Sequence, residues 1–116
     1  MIRFAIFPLL VLATMAAQRA DAQNISTAGD LQSQCAKPEQ DRACSAYALG
    51  YAEGVTAANK ENVTICVPKG VGGRELRLVM DKYLKDHPER LHEKVSIVLG
   101  AAFAGAYPCQ KPNESK

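Results

Sequence analysis

The chain has 116 residues, 47% of them hydrophobic and 22% charged, with a formal charge of +2 at pH 7. That near-balance, with no basic block and no long run of like charges, excludes the electrostatic footprint of a nucleic-acid or anionic-membrane partner. The length fits a single domain.

The first residues read as a targeting segment. Arg3 precedes the apolar run "FAIFPLLVLATMAA", and Ala20-Asp21-Ala22 has the A-x-A form of a signal-peptidase site. The run is too short to span a bilayer. Cleavage is expected after Ala22, leaving residues 23–116 as one exported domain without a membrane contact. A domain of that size buries only about 60–65% of the surface its unfolded chain exposes, so covalent support is expected. All four cysteines, Cys35, Cys44, Cys66 and Cys109, lie in this part. An even count in a short exported chain reads as a disulfide framework with three possible connectivities. Structural zinc needs closely spaced cysteine pairs, and the spacings here are 9, 22 and 43.

In chain order, "STAGDLQSQC" predicts a short helix capped by Ser26 or Thr27. "AKPEQD" is a turn, with Pro38 placed to open the next helix. From Glu39 to about Asn59 the residues favour helix, and Tyr47, Tyr51 and Val55 recur at four-residue intervals. "ICVPKGVGG" is a turn-rich connection that cannot be helical across Pro68 and its glycines. Residues 74–87 then carry Leu76, Val79, Met80, Tyr83 and Leu84 as one helical stripe, which sets Arg74, Glu75, Arg77, Asp81, Lys82 and Lys85 on the opposite face. Pro88 ends that helix and opens another over 89–107, whose stripe is Leu91, Val95, Val98, Leu99, Ala102, Phe103 and Ala106.

The fold class is therefore all-α, a small four-helix domain. A short turn at Pro88 implies that the last two helices run antiparallel, which brings the loop holding Cys66 near Cys109. Cys35 and Cys44 flank the Pro38 turn and close locally. Gly50 and Gly54, one helical turn apart, suggest a close helix crossing against the small residues Gly100, Ala101, Ala104 and Gly105 of the last helix.

Chemistry is scarce. His87 and His92 are five residues apart with Pro88 between them, which places them on different faces and reads as a solvated polar turn. No serine lies in a G-x-S-x-G setting, and paired cysteines leave no thiol nucleophile. "GVGGRELR" lacks the G-K-[ST] ending of a phosphate loop. No enzyme activity, cofactor or metal is expected. The sequons at Asn24, Asn62 and Asn113 matter only in a eukaryotic secretory route.

Five segments in order, "GDLQSQC", "CSAYALGYAEGV", "ICVPKGV", "YLKDHPERLH" and "VLGAAFAGAYPC", resemble the Tai/Rap family of periplasmic immunity proteins of type VI secretion. The likeness covers about residues 29 to 109. Its motif positions Cys44, Tyr47, Gly50, Cys66, Pro68, Tyr83, Leu84, His87, Pro88, Pro108 and Cys109 look like fold determinants. The resemblance implies a small helical fold that binds and occludes a secreted peptidoglycan amidase effector, often as a homodimer.

The leading expectation is a periplasmic inhibitor acting by obstruction, with Lys69, Val71, Arg74, Glu75 and Arg77 as the partner-binding surface. The alternative is a periplasmic stress-related binding module or chaperone, which would expose apolar surface on acidification. A zinc-dependent hydrolase using His87 and His92 is the third reading and predicts stoichiometric metal.

Overall fold

The computed structural model describes residues 24–58 and 64–109. The expected signal peptide and its cleavage site lie outside them. Among the described residues there are four α-helices and no strand: α1 (Ala28–Cys35), α2 (Asp41–Ala58), α3 (Gly73–Asp86) and α4 (Val95–Ala106). Single 3-10 turns at Pro38–Gln40 and Pro88–Arg90 precede α2 and follow α3. The all-α fold class is as the sequence predicts. No helix among these residues is long and apolar enough to cross a membrane.

Helix α1 starts on a reciprocal cap. Thr27 Oγ1 accepts from the Asp30 N–H at 3.1 Å, and Asp30 Oδ2 accepts from the Thr27 N–H at 2.9 Å. Two otherwise orphaned amides are satisfied in this way. Of the two expected caps, Thr27 is the one used. The next amides of α1 find distant partners. Ala28 N–H donates to Glu93 O at 3.0 Å and Gly29 N–H to Leu91 O at 2.8 Å.

These bonds explain one departure from the sequence reading. Residues 89–94 do not continue into the last helix. The carbonyls of Leu91 and Glu93 are engaged by the start of α1, and α4 begins only at Val95, whose N–H donates to Ser26 O at 3.2 Å. Leu91 is half-buried in this connecting segment rather than on a helix stripe.

Helix α3 is the central element and packs against α1, α2 and α4. Leu76, Met80 and Leu84, at i, i+4 and i+8, are fully buried, together with Leu31, Ile65, Val98, Leu99 and Phe103 from the surrounding elements. Each such side chain contributes about 1.5–3 kcal/mol relative to exposure. On α2 the buried row is Cys44, Ala48 and Ala52, while Tyr47, Tyr51 and Val55 are half-buried beside it. Small side chains on that row let α3 lie close.

The close crossing expected at Gly50 and Gly54 does not occur. An added Cβ at either position would meet nothing within 4 Å. Contact between α2 and α4 runs instead through the Tyr51 side chain. Its hydroxyl donates to Ser96 O at 2.5 Å and its ring lies 5.9 Å from that of Phe103. Gly100 makes room for this hydroxyl, since a Cβ there would stand 3.2 Å from it. A glycine that does permit a close approach to α2 is Gly73, where a Cβ would stand 2.6 Å from Ser45 O.

Both expected disulfides are present. Cys35 and Cys44 join with Cα atoms 5.8 Å apart, and Cys66 and Cys109 with Cα atoms 5.0 Å apart. No free cysteine remains among the described residues. The chain-entropy estimate assigns about 2.7 kcal/mol to the shorter loop and about 4 kcal/mol to the longer.

Candidate functional site

The residues singled out for partner binding sit on the connection into α3, and that connection is pinned at both ends. Ile65 is buried and forms an antiparallel bridge with Pro108. Cys66 donates its N–H to Tyr107 O at 2.8 Å and is bonded to Cys109. The chain then turns at Pro68, where Val71 N–H closes the turn on Pro68 O at 3.2 Å. Gly70 sits within the turn at φ +89°, a left-handed conformation that glycine adopts without a steric cost.

Helix α3 begins immediately afterwards. Glu75 Oε2 accepts from the Gly72 N–H at 2.9 Å and so caps the helix that contains it. Hydrogen bonds from the backbone N–H groups of Glu75 and Gly72 hold the Glu75 carboxyl below the usual carboxylate range. The carboxylate is solvent-exposed and carries its charge at neutral pH.

Lys69, Arg74 and Glu75 are exposed and Val71 is half-buried, so four of the five expected contact residues share this surface. Lys69 and Val71 also line a groove of about 600 Å³ between the 65–71 connection and α2. Leu49, Ala52 and Ile65 are among the apolar residues that line it, and Glu53 lines it from α2.

Arg77 does not belong to this surface. It is only 9% exposed, and its guanidinium is occupied internally. Nη2 donates to Cys35 O at 2.7 Å, Nη1 to Asp41 O at 3.2 Å, and Nε to both oxygens of Asp81 at 2.9 and 2.8 Å. The outward placement expected from the helix stripe is therefore corrected. A buried guanidinium requires partners for its donors, and α1 and α2 supply backbone carbonyls for them.

A second polar cluster follows α3. His87 Nδ1 lies 2.9 Å from Glu89 Oε1, and its ring stacks at 4.2 Å on that of Tyr83. Arg90 donates to Tyr83 Oη at 2.6 Å and grips the Glu93 carboxylate from Nε and Nη2. That grip depresses the Glu93 carboxyl below its ordinary range. Because Glu93 O also receives the first amide of α1, this cluster holds the α1 docking segment in place. The sequence sets Tyr83 on the apolar stripe and reads His87, Glu89, Arg90 and Glu93 as a solvated polar turn, and no local pattern joins the two.

What the arrangement offers chemically is a rigid, mixed-charge surface. Among the described residues no group of three or more His, Cys, Asp or Glu side chains is placed to hold a metal ion.

A comparison with protein-family models matches residues 27–109 to the family described as Rap1a immunity proteins. No curated protein and no solved structure matches the chain. The matched span runs from the Thr27 cap to Cys109 and so takes in both disulfides, the central helix and the pinned connection: the chain belongs to the Rap1a immunity protein family.

Proposed function

We propose that the chain is exported to the periplasm and there binds and blocks a peptidoglycan amidase delivered by a type VI secretion system. The observation that carries this reading is the family match over residues 27–109. Immunity proteins of this family are commonly exported and generally non-enzymatic. An exported setting also suits a chain whose described cysteines are all paired, since disulfides persist in oxidising compartments.

Inhibition is by obstruction. A surface that covers another protein's cleft gains affinity when it is already ordered, because binding then costs less conformational entropy. The connection carrying Lys69 and Val71 has that property, being fixed by the Cys66–Cys109 bond, the Cys66–Tyr107 hydrogen bond and the capped start of α3. The proposed contact surface is Lys69, Val71, Arg74 and Glu75.

The test mixes the oxidised, exported protein with the product of a neighbouring gene for a secreted amidase. Size-exclusion chromatography with light scattering reads complex formation, stoichiometry and any homodimer. A discrete complex that abolishes peptidoglycan cleavage is the expected result. A folded, active amidase that forms no complex would move the reading to a stress-related binding module, for which a dye-binding titration on acidification is the measurement.

A further inference from the structure

The Cys35–Cys44 bond rests on a non-covalent seat built by Arg77. One guanidinium reaches three helices. Nη2 takes Cys35 O at the end of α1 at 2.7 Å, and Nη1 takes Asp41 O and Asp41 Oδ1 at the start of α2 at 3.2 and 3.4 Å. Nε is held from within α3 by Asp81, which fixes the plane of the group. The carbonyl engaged on α1 belongs to the cysteine itself, and Asp41 stands one helical turn before Cys44. Only 11% of the Arg77 side chain is exposed, so water competes weakly for these bonds.

We propose that Arg77 is the positioning residue for this disulfide: it holds Cys35 against Cys44 while both are still thiols, so that the α1–α2 corner folds first and is oxidised afterwards. Oxidation by a small disulfide such as oxidised glutathione proceeds in two exchanges. One cysteine thiolate attacks the small disulfide and expels a glutathione thiolate. The second cysteine thiolate then attacks the mixed disulfide and expels the other. Two cysteine thiols lose two electrons and two protons, and one glutathione disulfide becomes two glutathione thiols.

Arginine takes no part in either exchange. It raises the fraction of time during which the second thiolate stands within reach of the mixed disulfide. Cysteines nine residues apart meet often in any flexible chain. The clamp turns a frequent encounter into a standing one. Cys66 and Cys109 have a different seat, the Cys66–Tyr107 hydrogen bond and the Ile65–Pro108 bridge, which Arg77 does not touch.

The experiment reduces and unfolds the full chain, refolds it in a glutathione redox buffer, and maps the cysteines by alkylation and peptide mass spectrometry. In Arg77→Met, the Cys66–Cys109 pair is expected to form as in the wild type. The equilibrium for Cys35–Cys44 against glutathione should fall about tenfold or more, with both cysteines recovered as thiols or glutathione adducts. Arg77→Lys should recover part of the loss. Wild-type pairing in Arg77→Met would overturn the proposal, and so would equal scrambling of both pairs, because Arg77 would then support only the fold as a whole. A second arm does not depend on that variant folding. Cys35→Ala/Cys44→Ala retains Arg77 and is expected to keep the wild-type helical signal and a cooperative unfolding transition. Loss of that transition would show that the corner cannot form before its bond, against the proposal.

Discussion

Arg77 on α3 donates to the backbone carbonyl of Cys35, 42 positions earlier in the chain, at 2.7 Å. Its neighbour one turn earlier on the same helix, Arg74, is exposed, so two arginines three residues apart have opposite roles. Replacing Arg77 with methionine strands the Cys35 carbonyl and two aspartates, of which Asp41 is mostly in water and contributes little by itself. The expected cost is about 2–4 kcal/mol. Arg77→Glu should cost more, since it sets a third carboxylate beside Asp41 and Asp81. Arg74→Glu should lie within about 0.5 kcal/mol of the wild type. Urea unfolding with an unchanged m-value measures all three, and a wild-type midpoint for Arg77→Met would remove the clamp from the account.

The glycines allow an equally direct comparison. Gly50 and Gly54 lie within α2 with open space where a Cβ would be, whereas a Cβ at Gly73 would stand 2.6 Å from Ser45 O. Alanine at 50 or 54 should therefore stabilise by about 0.5–1 kcal/mol through helix propensity alone. Alanine at 73 should destabilise by about 1–3 kcal/mol, because the start of α3 must lift off α2. Thermal midpoints of the three variants decide the matter, and destabilisation at 50 or 54 would show that helix propensity does not govern those positions.

These contrasts mark what local sequence carries and what it does not. The stripe Leu76, Met80 and Leu84 was legible because period-3.6 spacing is a property of neighbours along one helix. Thr27 and Pro38 were legible for the same reason, as was the disulfide pairing once the order of helices was known. Arg77 sits at the edge of that stripe, and its burial depends on a carbonyl from α1, which no local pattern contains. Helix α4 starts later than its stripe predicts because the carbonyls of Leu91 and Glu93 are recruited by the first amides of α1, more than sixty residues away. In the candidate site, the turn at Pro68 and Gly70 could be read from residue types. The division of its charged residues into Arg74 outside and Arg77 inside could not.

Acid should weaken the fold through its helix caps and its paired carboxylates, Glu93 among them. Hydrogen bonds from Thr27 and Ser26 depress the Asp30 carboxyl, backbone amides depress that of Glu75, and Arg90 depresses that of Glu93. A depressed folded-state pKa means that the unfolded chain binds protons first as pH falls. The contribution of these groups is thus complete above their ordinary values and is lost as pH drops through the lower folded ones. Their share of the stability should be flat between about pH 5.5 and 7 and decline below about pH 4. Asp30→Asn should be less stable than the wild type at neutral pH and show a shallower acid decline. Denaturant midpoints collected against pH test this, and an identical slope in the variant would separate Asp30 from acid unfolding.

The two disulfides should differ in what their removal does to binding. Cys66–Cys109 closes the longer loop, with a separation of 43, and removing it should cost about 4 kcal/mol, against about 2.7 kcal/mol for Cys35–Cys44. The longer bridge also pins the connection that carries Lys69 and Val71, and without it the Cys66–Tyr107 hydrogen bond and the Ile65–Pro108 bridge must hold that segment. Cys66→Ala/Cys109→Ala should accordingly speed hydrogen exchange at the amides from position 66 (then alanine) up to Val71 and weaken binding to the partner effector. Cys35→Ala/Cys44→Ala, in which Arg77 still joins the corner, should leave both nearly unchanged. Faster exchange in the first variant with undiminished affinity would move the binding surface away from the start of α3, because a loosened connection would then have no bearing on recognition.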